Sequence, residues 1–493
     1  MLSEVEILQF INEDKTSTKK RLAKIGERYY EGDHDIRSYR MFYFNADGEL
    51  VEDKTRSNVK ISHPFFTELV DQEVQYMLSG EGSFVRSDDQ DLQNYLVEYF
   101  DDDFKSELND VLTGTVSKGF DYMYAYKRAD DRTGFQHADS IGVVEVREKD
   151  TDDKCAYVIY WYVDRIGKEN KLIKRIQVWD TKQTTYYVQD QEGELKKDED
   201  EELNPRPHVI YHKEGDEATY YEEYGFIPFF RLDNNRKQFS GLKPIKDLID
   251  DYDMMCCGLS NNITDAAESL IVVKGFQGDN LEELIQNVKT KKHIGVDDNG
   301  GIETHTVDIP HEARLKKAEL DEKNIYRFGM AFNSTMVGDG NITNIVIKSR
   351  YALLDLKANK LEKKLKAFLR QIIKVVLDEI NNANETDYQM KDVYFVFDRE
   401  VMTNAQDNAT IEKTDAEKQQ IQINTLLTLT NVFDKETLVQ MICDILDIDY
   451  EDIKDKLPKG EEEPEKDITD AENLLNGVGA NGIEQTGTGS STG

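Results

Sequence analysis

The sequence is poor in the residues that usually announce chemistry. Its 493 residues include four cysteines, Cys155, Cys256, Cys257 and Cys443, with no CxxC among them. That spacing excludes a zinc ribbon or a dithiol redox motif. Cys256 and Cys257 are neighbours within a helical pattern, so their side chains point apart. All four read as reduced, small apolar residues of a cytosolic protein. Positive charge is also scarce: Lys+Arg number 62 against 98 Asp+Glu, a formal net charge of −36. This argues against a generic basic nucleic-acid binder. Apolar runs such as Phe226–Phe230 fall far short of the ~20 residues that span a bilayer. The N-terminus lacks the basic region and apolar stretch of a secretory signal.

Catalytic signatures are missing too. No GxxxxGK[ST], HExxH, EF-hand loop or GxGxxG occurs. One formal GxSxG lies at Gly489–Gly493, in a Gly/Ser/Thr tail without the strand and helix that a nucleophile elbow needs. His208 and His212 are four apart, but Pro207–Val209–Ile210–Tyr211 reads as strand. Four strand positions span about 13 Å, too far for one metal. The carboxylate runs Asp101–Asp103, Asp198–Glu202 and Glu461–Glu463 read as solvated charge. No metal and no cofactor is expected.

A hydrophobic share of 38% still supports real cores. Residues 4–31 read as charged helix stopped at Gly32, 59–79 as helix with Pro64 near its start, and 90–117 as one or two short helices. From Gly119 to about Asp233 the period becomes two. Phe120, Tyr122, Tyr124 and Tyr126 alternate with Asp121, Met123 and Ala125. Further strands are expected at 142–147, 156–163, 172–179, 184–189, 208–212 and 227–232, giving an antiparallel β-rich unit. Residues 243–270 return to helical period. A compact insert follows: strand 270–273, helix 280–288, strand 293–296, a turn at Asp298–Asn299–Gly300–Gly301, and strand 302–307. Pro310 closes it, and 311–332 is helical again.

After a polar, glycine-bearing stretch, helical period runs for more than 30 residues. Ala358, Leu361, Leu365, Phe368, Ile372, Val376 and Ile380 form one stripe. This helix breaks the acidic rule. Lys348 to Lys374 holds nine basic residues and only Asp355 and Glu362 as acids. Two readings stand: a face that pairs with acidic neighbours, or a face near DNA or an acidic ring partner. A strand at 393–397 and two or three amphipathic helices over 409–455 follow. The acidic and Gly-rich residues after Pro458 read as disordered.

Four segments carry a resemblance. They are Tyr29–Tyr30–Glu31–Gly32–Asp33–His34–Asp35–Ile36; then Ile227–Pro228–Phe229–Phe230 with Asn234–Asn235 and Leu248–Ile249–Asp250–Asp251–Tyr252–Asp253; then Val273–Lys274–Gly275–Phe276 with Gly300–Gly301–Ile302–Glu303–Thr304 and Asp308–Ile309–Pro310; and Gly340–Asn341 with Leu353–Leu354–Asp355–Leu356–Lys357–Ala358. In this order the chain resembles the portal proteins of tailed bacteriophages, the family typified by siphophages of Gram-positive hosts.

The resemblance implies an α+β portal fold. Residues 1–242 would be a β-rich wing, 243–270 and 311–332 the long stem helices, and 271–310 a small α/β clip. Residues 333–345 would form the tunnel loop and 346–404 the long helix and returning wing strand. A helical crown would cover 405–457, and 458–493 a tail. It implies a non-enzymatic homo-oligomeric ring of roughly twelve copies at a capsid vertex of the virion, assembled in the host cytoplasm. Double-stranded DNA would pass through it. Asn341, Thr343, Asn344 and Lys348 would approach the DNA. Arg350, Lys357, Lys360, Lys363 and Lys364 would form a DNA brake or an inter-subunit basic face. Asn280, Glu282, Glu283, Asp298 and Asn299 would dock partners: the terminase large subunit, then head-completion adaptors. Major capsid and scaffolding proteins are further implied partners, and no membrane is. The alternative is another structural head or connector protein without a DNA channel.

Overall fold

The computed structural model describes residues 2–446 apart from 55, 81, 129–131, 150–153, 167–170, 190–192, 213–218, 267–269, 277–281, 283, 285–295, 306–310, 334–343, 400–404, 430–432 and 434. The chain forms two compact units, Met1–Thr403 and Asn404–Gly493.

The helical N-terminus begins with α1, Glu4–Thr16. Ser3 caps it in a reciprocal pair with Glu6, whose carboxylate accepts the Ser3 amide at 2.8 Å. The expected single helix over 4–31 is two. Ser17 adopts extended backbone and accepts the Lys20 amide at 3.2 Å, so it caps α2, Thr18–Tyr30. Serine hydroxyls stabilise caps better than helix interiors, and Thr16–Ser17–Thr18 is where this wins. The stop at Gly32 is observed, with φ +77° just beyond the helix.

α3 spans Phe65–Met77 rather than 59–79. Pro64 disfavours helix in the residue before it, and 59–63 run as a strap instead. The chain next forms α4, Gln90–Tyr99, and α5, Asp102–Lys118.

The β-rich region is antiparallel throughout. β4 (Phe120–Lys127) lies between β14 (Phe229–Asp233) and β5 (Thr133–Ala138). A larger sheet orders β6 (Val143–Val146), β7 (Tyr157–Ile166), β8 (Lys171–Trp179), β9 (Gln183–Gln189) and β10 (Leu195–Lys197), with β11 (Arg206–Pro207) also on β9. β12 (Val209–His212) pairs with β13 (Thr219–Glu222). Ile7 and Ile11 of α1 close one face of the larger sheet over Val144, Ile159 and Ile176. β4 departs from simple alternation because it is central. Asp121 is fully buried among apolar neighbours, held by Lys118 at 2.9 Å, His137 Nε2 at 2.9 Å and the Ser140 amide at 2.7 Å. A buried carboxylate requires such partners.

α6 (Lys246–Ala266) and α7 (His311–Gly329) pack together, and β15 (Leu270–Phe276) pairs with β16 (Val296–His305) between them in sequence. The expected turn at Asp298–Gly301 is not there: β16 runs through it. The register slips between Lys274 and Phe276, and Gly275 takes φ +68° at that bulge. A Cβ on Gly300 would sit 2.6 Å from the Lys274 carbonyl oxygen. The glycine is thus used for close backbone approach, not for a turn.

α8, Asn344–Asn384, has 41 residues and is about 60 Å long. Every member of its expected stripe is buried, in a core shared with α3, α5 and β14. Each large apolar side chain in it contributes roughly 1.5–3 kcal/mol. Glu379 ties its far end down, accepting from the Thr133 amide and the Tyr99 hydroxyl at 3.0 Å each. The chain then returns, and β17 (Tyr394–Phe395) pairs with β3 (Val85–Arg86).

The second unit contains helices Ala405–Thr428 and Lys435–Leu446, which pack on each other with Leu438 and Cys443 buried. The residues after Pro458 lie outside the described ones. Among the described residues no helix is long and apolar enough to cross a membrane.

Candidate functional site

The basic stretch of α8 resolves into two sets of side chains. Lys357 turns inward and meets the buried Glu73 carboxylate at 2.8 Å. Lys366 bonds Glu362 one turn back at 2.7 Å. Arg399, from the returning chain, takes Asp355 at 2.7 Å and also Glu362. Both acids of the stretch are therefore occupied. Lys360, Lys363, Lys364, Arg370 and Lys374 fall on one side of the helix at about 100° per residue and are exposed. None of the five has an ion-pair partner among the described residues. They form a positive strip roughly 20 Å long. Lys348 and Arg350 lie on the α8 backbone, but their side chains are outside the described residues. Asn344 begins the helix. Asn341 and Thr343 are not among the described residues.

The helix pair α6/α7 is held by Lys317, which bridges Asp251 and the buried Asp321. Phe65 of α3 packs edge-on against Tyr252 and Tyr326 of this pair, with centroids 4.8 and 6.0 Å away. The β15/β16 pair carries a Lys274–Glu303 ion pair at 2.6 Å. Glu282 lies in helical backbone and Asn299 on β16, and both are exposed. Asp298 is also on β16, whereas Asn280 and Glu283 lie outside the described residues. Among the described residues of this expected set, Asp298 and Asn299 share one element.

Two of the four sequence motifs meet in space, which no spacing rule foretold. Tyr29 donates to Asp250, and its ring stacks on His34 at 4.5 Å. His34 Nδ1 lies 2.6 Å from one oxygen of Asp253, and His63 Nδ1 lies 2.7 Å from the other. Lys246 bridges Asp35 and Asp250 at 2.6 Å each. Burial alone would raise the Asp253 carboxyl, but the hydrogen bonds from His34 and His63 outweigh it and hold it below the usual range. This knot fastens the chain after α2 to the base of α6. Asp250 and Asp253 are three apart on one helix face, but only the fold brings Tyr29 and His34 to them.

Of the two histidines four apart, His208 is buried. His208 stands beside Trp179, ring centroids 5.5 Å apart, and burial pushes its pKa down to about 4. The described residues contain no cluster of three or more metal-ligating side chains. Sequence reading also missed the hairpin of β1 (Phe42–Phe44) and β2 (Leu50–Glu52). Asp47–Gly48 between apolar residues was its signal.

Residues 8–455 match the family model described as phage portal protein, SPP1 Gp6-like. The portal protein of Bacillus phage SPP1 is 30% identical over 369 residues, covering 74% of this chain and 71% of that one. The portal protein of Clostridium phage phiCD119 is 24% identical over 404 residues, 78% of this chain and 83% of that one. The mixed helix-and-sheet architecture agrees with an α+β portal protein, and the phage relatives come from Gram-positive hosts. With the match running through the wing-like sheets, the helix pair, its β insert and the long helix, this chain belongs to the phage portal protein family, a family of structural proteins of the virion.

Proposed function

We propose that this chain assembles as a ring of roughly twelve copies at one capsid vertex, and that double-stranded DNA enters and leaves through its centre. The extent of the family match, 8–455, carries this reading. In it, α6 and α7 are the stem and the β15/β16 unit is the clip. Asp298 and Asn299, with Asn280, Glu282 and Glu283, meet the terminase large subunit and later the head-completion adaptors. Wing and crown meet major capsid and scaffolding proteins, with assembly in the host cytoplasm.

Asn341, Thr343, Asn344 and Lys348 approach the duplex. Neutral polar groups hydrogen-bond phosphates briefly without holding them. A ring of such chains carries a formal charge on the order of −400. That field disfavours tight DNA binding and suits a duplex that slides. The motor's ATPase is a separate protein, in keeping with the missing P-loop.

Electron microscopy of the purified chain tests the ring, and packaging into proheads tests the channel. Rings with a central hole, and loss of terminase docking when 271–310 are deleted, are expected. Monomers under assembly conditions overturn the ring, and unchanged docking by the deletion overturns the clip.

A further inference from the structure

The β1/β2 hairpin stands largely open among the described residues. Asn45 shapes its loop, accepting the Asp47 and Glu49 amides at 3.0 and 2.8 Å, and Gly48 takes φ +77°. Phe44 pairs with Leu50 and Tyr43 with Val51, so adjacent pairs point to opposite faces. One face carries Phe42, Phe44 and Leu50 beside Glu52, the other Tyr43 and Val51, and both are open: Phe42 is 53%, Tyr43 50%, Phe44 73%, Leu50 60% and Val51 37% exposed. These five side chains expose on the order of 600 Å². Split over two faces this is no single patch, but covered on both sides it amounts to most of the ~800 Å² per partner of a standard interface. An isolated two-stranded hairpin is marginally stable in water.

Its base, in contrast, is fixed. The strap that follows it donates the Val59 amide to Asn261 at 2.7 Å and the His63 amide to Asp253 at 2.9 Å, both on α6. The hairpin is therefore an exposed arm followed by a strap anchored to α6.

We infer that this arm inserts into the next copy of the chain, between surfaces that cover both of its faces. The inference rests on the ring reading. An apolar arm open on two sides invites aggregation as soon as the chain is made. The partner always present at that moment is another copy. A ring also sets each copy beside the same face of its neighbour, so one arm and one seat repeat without a gap. The helix pair offers apolar surface for the seat: Met254 of α6 with Leu315 and Leu320 of α7 are 49%, 51% and 53% exposed. Lys317 bridges Asp251 of α6 to Asp321 of α7, so these residues stand at the level of the strap's anchor. Rotation about a ring axis along the stem keeps that level.

Photo-cross-linking tests this, with a benzophenone amino acid in place of Phe44 in the full-length chain. Irradiated rings are expected to give chain dimers and higher species, joined through peptides of 246–266 or 311–329. Rings without inter-chain cross-links overturn the inference, as do links to another region of the neighbour. A second variant, Phe44→Glu with Leu50→Glu, is expected to keep its far-UV circular dichroism and lose most of its ring fraction. If rings form as in the wild type, the arm is not an assembly element. If the wild-type chain itself forms no rings, the ring reading fails first, and the arm with it.

Discussion

Lys357 and Glu73 meet at 2.8 Å, with the Glu73 side chain only 1% exposed. This contact joins α8 to α3 and turns Lys357 away from the exposed basic strip. Breaking one partner of a buried pair costs about 3–5 kcal/mol, because the other charge stays behind unpaired. Lys357→Ala is therefore expected to lower stability by about 3 kcal/mol, while Lys360→Ala stays within about 0.5 kcal/mol. Urea midpoints of the two variants check this, and equal midpoints would refute it.

Reversing Lys360, Lys363 and Lys364 to Glu should leave the subunit folded, because none has a partner among the described residues. A melting temperature within about 2 °C of wild type is expected. Assembly and packaging then separate the two readings of the strip. Normal rings with reduced packaged DNA place it toward DNA. Failed rings place it against the next copy.

His208 makes stability depend on pH. Its pKa falls from 6.5 to about 4 on folding, through burial. Between those values the unfolded chain binds a proton that the folded chain does not. Stability is therefore full above about pH 6.5 and is lost as pH falls toward 4, by on the order of 2–3 kcal/mol. Guanidinium midpoints from pH 7 to 4 should show this slope, and His208→Phe should flatten it. An unchanged slope in that variant would assign the effect elsewhere.

Gly114 sits within α5, where alanine would normally stabilise by about 1 kcal/mol. Its Cβ, however, would fall 1.5 Å from Oδ2 of Asp121. That carboxylate is fully buried and held by Lys118, His137 and Ser140. Displacing it outweighs helix propensity, so Gly114→Ala should destabilise by about 2 kcal/mol or more. A raised melting temperature would contradict this.

Periodic features were the legible ones. The α8 stripe from Ala358 to Ile380 repeats at helical spacing, and all of it is core. Local chemistry was legible where a single residue decides, as at Gly32. It misled at Asn299–Gly300, where a turn dipeptide serves a tight strand crossing instead. Contacts distant in sequence were not legible. Lys357 and Lys360 are the same residue type three positions apart, and only Glu73 makes one of them interior. Likewise Tyr29 and His34 could be quoted as a motif, but their partners Asp250 and Asp253 lie on an element that only the fold brings near.

The Arg399 clamp has an energetic consequence. By holding Asp355 and Glu362, it takes up the two counter-charges that α8 carries along its basic stretch. Cations left three and four residues apart repel by roughly 0.2–0.5 kcal/mol per pair. That repulsion is small in the lone subunit, and it is relieved only when an anion arrives from outside. A negative surface that meets the front of the long helix would thus gain those tenths of a kcal/mol per pair, while its apolar back stays in the core.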